Sequence, residues 1–240
     1  KPNLKELMNI LISFARFNSS DMYLSIFTDV SLKFARSYLN DKNPEMLKPL
    51  SNRTLLSMEI TFFTVQLLSN SPIETVSSAL AQINGFKMLL SNYAFSPHHN
   101  MWTSSSECED LGFFCLIRNS IFKLLCSCFV HVPQHAPGVL IAVGEIFKNS
   151  SPQMADEANK LLSILFKSNP TDFLKAMTST DLPEIIVDYQ MRLQSMQLKL
   201  IEDDIDPKFI GFVGQSRVQI LHLIDLFLFH DQTRCFLFCS

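Results

Sequence analysis

Residues 119–131, NSIFKLLCSCFVH, set the tightest limit on how this chain can fold. Read at a helical period, the polar positions Asn119, Ser120, Lys123 and Ser127 fall in a stripe along one side. Ile121, Phe122, Leu124, Leu125, Cys128 and Phe129 occupy the rest of the circumference. A helix exposed only along a narrow stripe must be covered by neighbours on several sides. The inner helix of a stacked array meets that environment.

The same period runs along the chain. Leu4, Leu7, Met8, Leu11, Ile12 and Ala15 step at three and four. Leu24, Phe27, Val30 (or Ser31) and Phe34 make a second run ending near Asp41, and Leu55, Met58, Phe62, Val65 and Leu68 a third. Further helices are expected at 73–83, 86–94, 109–131, 137–148, 153–168, 171–178, 183–203 and 208–230. Residues 95–108, FSPHHNMWTSSSEC, have no period and carry Pro97 and a serine run, so they predict an irregular surface loop.

The predicted boundaries have physical causes. Pro2, Pro44, Pro72, Pro152, Pro170, Pro183 and Pro207 lie near expected helix starts, where a missing N–H costs nothing. Ser71, Ser151, Asn169 and Asp206 precede four of them as N-caps. Glycine is scarce, 6 in 240 residues, which disfavours turn-rich β architectures. With 47% of the chain hydrophobic, a sizeable core can be buried. The expectation is all-α: about ten helices in one domain over 1–240.

A repeat supports stacking. SNSPIETVSSALAQI (69–83) and NSSPQMADEANKLLSIL (149–165) share a Ser-Pro opening, an acidic residue and an alanine, Ala79 or Ala158, leading into large apolar positions. They begin 80 residues apart, about two units of a 40-residue repeat. Ala79-Leu80-Ala81, then Gly85, then Leu89-Leu90-Ser91-Asn92 resembles an armadillo unit, and Ser151-Pro152, Ala158, Leu161-Leu162 and Leu165 match its first part again. The resemblance is to the armadillo/HEAT superfamily. It implies a right-handed α-solenoid of stacked helix pairs or triplets.

Charge and motifs narrow the function classes. Net charge is −3, without the basic footprint of a dedicated nucleic-acid binder. The acidic cluster Glu202, Asp203, Asp204 and Asp206 beside Pro207 reads as a solvated turn. It lacks the alternation and central glycine of a calcium loop. Six cysteines read as reduced thiols of an intracellular protein, cytoplasmic or nuclear. The chain opens Lys-Pro-Asn with no apolar leader, and the missing initiator Met points to a piece of a longer or processed chain. The most apolar stretch, Leu124 to Gly144, is interrupted by His131, Pro133, Gln134, His135 and Pro137. It predicts two buried helices around a turn and no membrane span.

CSCFVHVPQH, residues 126–135, gathers Cys126, Cys128, His131 and His135. Residues two apart on a helix point about 200° away from each other, so the two thiols cannot share a metal there. His98 and His99 near Trp102 and Cys108 fall in the irregular loop, and His222 and Asp225 have no nucleophile beside them. Phosphate-loop, nucleophile-elbow and zinc-protease motifs are absent. The 21 phenylalanines, against 1 tryptophan and 4 tyrosines, suit dry helix contacts.

These readings converge on a non-enzymatic scaffold that binds other proteins, taking a peptide or helical segment in a groove. No cofactor, metal or small-molecule substrate is expected. The expected contacts are Asn119, Lys123 and Ser127, with His98, His99 and Trp102 in the loop. Two alternatives stand beside this. A chromatin- or nucleic-acid-associated regulator would need a ridge built from Lys33, Arg36, Lys160 and Lys167. A helical enzyme or lipid-binding bundle would need a closed apolar cavity.

Overall fold

Ser20 shows why the first described helix starts where it does. Its side-chain oxygen accepts from the Tyr23 N–H at 3.3 Å, and its carbonyl accepts from Leu24 N–H at 3.1 Å. The first bond occupies a backbone donor that a helix start leaves open, and the second is the first regular bond of the helix. The structure is a computed structural model that describes residues 6, 13, 20–39, 52–90, 109–149, 152–203 and 207–230. Among them are ten α-helices, one 3-10 turn and no strand. Of the helix predicted over 4–15, only Glu6 and Ser13 are described, both helical. The predicted loop over 95–108 lies outside the described residues.

The chain divides into two compact units, Lys1–His135 and Ala136–Ser240. Nothing in the helical period of the sequence marks this division. The first unit holds α1 (Asp21–Leu39), α2 (Asn52–Ser69), α3 (Ile73–Gln82), α4 (Gly85–Leu89), α5 (Glu109–His131) and the 3-10 turn Pro133–His135. The second holds α6 (Ala136–Asn149), α7 (Pro152–Ser168), α8 (Pro170–Met177), α9 (Leu182–Glu202) and α10 (Pro207–His230).

In the first unit α1 packs on α2 and α3, and α2 and α3 pack on α5. Leu24, Leu32, Met58, Val65, Leu80, Ile121 and Phe129 are buried there. Between them runs a seam of buried hydroxyls: Ser25, Thr28, Ser57, Thr61, Thr64 and Ser77. Thr64 donates to the Ile60 carbonyl at 2.8 Å within its own helix, and Ser57 donates across to the Ala35 carbonyl. These two are satisfied by backbone carbonyls, whereas the Thr28 and Thr61 hydroxyls find no partner among the described residues.

The turn from α3 to α4 needs both of its residues. Asn84 sits at φ 56°, ψ 33°, a left-handed conformation that asparagine tolerates better than most side chains. A Cβ on Gly85 would stand 2.5 Å from Leu80 Cδ2 and 3.1 Å from its Cα. Glycine is therefore what lets the chain fold back against α3. Ser71 departs from its predicted role. It closes the end of α2 instead, its hydroxyl donating to the Leu67 carbonyl at 3.0 Å, and Pro72 takes the N-cap position of α3. Ser71 comes one residue too early to reach the free N–H groups of α3. Ser151 and Asp206 lie outside the described residues. Asn169 caps α8 as expected, accepting from Asp172 N–H at 3.2 Å.

The second unit is built around rings. Phe166 of α7, Phe173 of α8 and Phe227 of α10 meet at centroid distances of 5.1–5.5 Å. Phe147 of α6 meets Tyr189 of α9 edge-on at 5.3 Å. The helix α9 packs between α6 and α10. No single described helix is long and apolar enough to cross a membrane. The stretch predicted to be interrupted does break at Val132, whose carbonyl accepts from His135 N–H at 3.0 Å.

Candidate functional site

The polar stripe of α5 faces a groove of about 550 Å³ within the first unit. Its apolar base is Leu68, Ile73 and Leu124. Its sides carry the hydroxyls Ser69, Ser71, Ser120 and Ser127, the amide of Gln66, and the two basic side chains Lys123 and His131. No carboxylate is among the lining residues. The end of α2 forms one wall, and its last carbonyls are closed locally: Asn70 Nδ2 donates to Gln66 O at 2.7 Å and Ser71 to Leu67 O. Across the groove, Ser120 donates to Leu116 O at 2.8 Å. These hydroxyls keep lone pairs free for incoming N–H groups.

Of the residues predicted to make contacts, Lys123 and Ser127 line this groove together. Asn119 is exposed one turn earlier on α5 but is not part of the lining. His98, His99 and Trp102 lie outside the described residues. The α2 side of the groove, Gln66 to Ser71, was missed by sequence reasoning. Its signal was the polar residues of QLLSNS between two apolar helices, of which Ser69–Ser71 were read as a repeat opening and an N-cap. Ser127 and His131 lie one turn apart, yet no hydrogen bond joins them, so this pair does not form an activated nucleophile.

The Cys126–His135 cluster disperses. Cys128 is fully buried in the core, Cys126 is half-buried and His131 is exposed. Burial pushes the Cys128 thiol up to about 12, against a small opposing pull from the Ser77 hydroxyl, and also raises Cys126. Such thiols stay protonated and poor as ligands. Among the described residues, no three His, Cys, Asp or Glu side chains converge on a point.

A second groove, about 860 Å³, runs along α9 in the second unit. Ile185 and Leu200 form its floor, and Met191 and Met196 stand exposed along it. Lys148, Arg192 and Lys199 edge it, with Asp188 as the single acid. Arg192 is held in place. Its guanidinium donates to the last carbonyls of α6, Phe147 O and Lys148 O, the latter at 3.0 Å, and lies 5.4 Å over the Tyr189 ring. Burial raises the Tyr189 hydroxyl; the nearby Arg192 charge opposes this and Asp156 adds to it. Both grooves are open to solvent rather than enclosed.

Two of the cations proposed for a nucleic-acid ridge are engaged on their own helices. Lys33 pairs with Asp29 at 2.6 Å. Lys160 pairs with Asp156 and Glu157, both at 2.9 Å. Partial burial pulls the Lys160 ammonium down, but the two carboxylates outweigh it and hold it above its ordinary range. Comparison with protein-family models, curated proteins and solved structures found no match to this chain.

Proposed function

We propose that this chain is a non-enzymatic interaction scaffold, an armadillo/HEAT-like stack of helices whose first unit holds a short segment of another protein. The observation that carries the reading is the groove beside α5, where Lys123 and Ser127 stand over an apolar base rimmed by hydroxyls. A rim of serines and one amide can pair with the backbone of an extended peptide, while Leu68, Ile73 and Leu124 receive an apolar side chain. With Lys123 and His131 and no carboxylate, the groove favours a segment bearing an acidic group. The stacked arrangement draws support from Ala79 and Ala158, both fully buried at the matching places of the two repeat copies. An intracellular setting belongs to the same reading, since Cys126 and Cys128 are free thiols.

The test is a selection of displayed random peptides against the full chain. A shared motif with an acidic position is expected. Lys123→Glu combined with Ser127→Arg should weaken the selected peptides about tenfold or more, with helix content by circular dichroism unchanged. Failure to enrich any motif, or selected peptides that bind the double variant as they bind the parent, sinks the proposal.

A further inference from the structure

The groove along α9 has the geometry of a helix seat. Asp188, Arg192 and Met196 form one row stepping by four, and Met191 and Lys199 belong to the next. Such rows are ridges, and the furrow between them is what a ridge of an incoming helix fills. The stretch from Asp188 to Lys199 spans roughly 16 Å at 1.5 Å per residue, about three turns of helix. Met191 is 54% exposed and Met196 37%. Methionine is the apolar side chain that best adjusts its shape to a partner.

We propose that this groove docks an amphipathic α-helix of another protein, one whose apolar stripe is edged by Asp and Glu. The charge pattern selects that occupant. Arg192 and Lys199 stand along the groove, with Lys148 paired to Glu145 at 3.3 Å on its own helix, against one lining acid, Asp188, on a chain whose net charge is −3. The basic edge is thus a local feature, complementary to an acidic partner, while overall like charge disfavours a second copy of this chain. Arg192 is already fixed by the α6 carbonyls, so its remaining N–H groups meet a carboxylate with little entropy left to lose. The inference shares with the scaffold reading only the idea that the chain works by binding. Its groove lies in the other unit and responds to other variants, so either can fail alone.

The experiment titrates two synthetic helical peptides of about 18 residues against the full chain by fluorescence anisotropy. Both carry the same leucine stripe; one is edged with Glu, the other with Lys. The Glu-edged peptide should bind about tenfold or more tightly than its counterpart. Met196→Glu and Lys199→Glu should each weaken it about tenfold or more. Met191→Glu gives the same reading if Met196→Glu disturbs helix content. Ile164→Glu, at an exposed apolar residue of the same unit outside the groove, should leave binding unchanged. Equal affinity for the two peptides, no binding of the Glu-edged peptide, or an equal loss with Ile164→Glu overturns the proposal. So does binding to phosphatidylserine–phosphatidylcholine vesicles that Met196→Glu abolishes while neither peptide binds. A dimer in sedimentation that Met196→Glu dissolves places a second copy in the groove and overturns it as well.

Discussion

The two units bury comparable helices with different chemistry. The first lines its helix contacts with hydroxyls, among them Thr28, Ser57, Thr61 and Thr64, beside Leu, Val, Met and Ile and the buried rings of Phe86, Phe122 and Phe129. The second gathers rings: Phe166, Phe173 and Phe227 in one cluster, Phe147 and Tyr189 in another. A ring removes far more apolar surface from water than a threonine, and a buried hydroxyl gains little beyond offsetting its own desolvation. The lesson is that an all-helical chain can hold its layers either by a few large contacts or by many small ones.

Phe173→Ala should break the comparison most visibly. It removes the ring that touches both Phe166 and Phe227, at a site with no exposure, and should cost about 3–5 kcal/mol in urea unfolding. A cost below about 1 kcal/mol would show that the ring cluster is not where the second unit keeps its stability.

The two units are also expected to lose stability differently in alkali. In the first, Cys128 keeps its proton up to about 12 when folded, whereas its ordinary value is 9.0. A raised folded value means the unfolded chain loses the proton first. The contribution is complete below pH 9.0 and is lost as pH rises from there towards 12. In the second unit Tyr189 and Lys160 are raised from 10.0 and 10.5, so their contributions hold to a higher pH before they decline. Alkylation followed by peptide mass spectrometry at pH 8–10 checks the buried state directly. Cys128 should remain unlabelled in the native protein while the half-buried Cys126 reacts faster. Labelling of Cys128 at the unfolded rate would remove it from the core.

The smallest effect is expected at Thr61→Val. Thr61 is fully buried and its hydroxyl finds no partner among the described residues. Replacing it by a methyl of the same shape should change stability by less than about 1 kcal/mol, towards greater stability. A loss of about 2 kcal/mol would instead reveal a hydrogen bond held by that hydroxyl.

Much of the architecture was legible in the chain because helix signals are local. The prolines in the first turns of α7, α8, α9 and α10 and the 3.6 period placed those helices to within a residue or two. Asn169 read correctly as a cap because its partner, Asp172 N–H, lies three residues away. Ser71 misled because the same side chain can serve the helix behind it or the one ahead, and a serine beside a proline carries no mark of which. The stripe of α5 predicted Lys123 and Ser127 as exposed polar positions, but the α2 wall that makes them a groove comes from residues some fifty positions away.

By itself the sequence determined that the chain is helical, where most of the described helices start, and that α5 needs cover on most of its surface. These follow from hydrogen-bonding and steric preferences that act within a few residues. Only the tertiary structure decided that the chain parts at His135, that the hydroxyls of α2 face the stripe of α5, and that α9 is left with a basic, methionine-lined furrow. Those outcomes depend on which helix meets which, and that is set by packing between residues far apart in the chain, which no local period records.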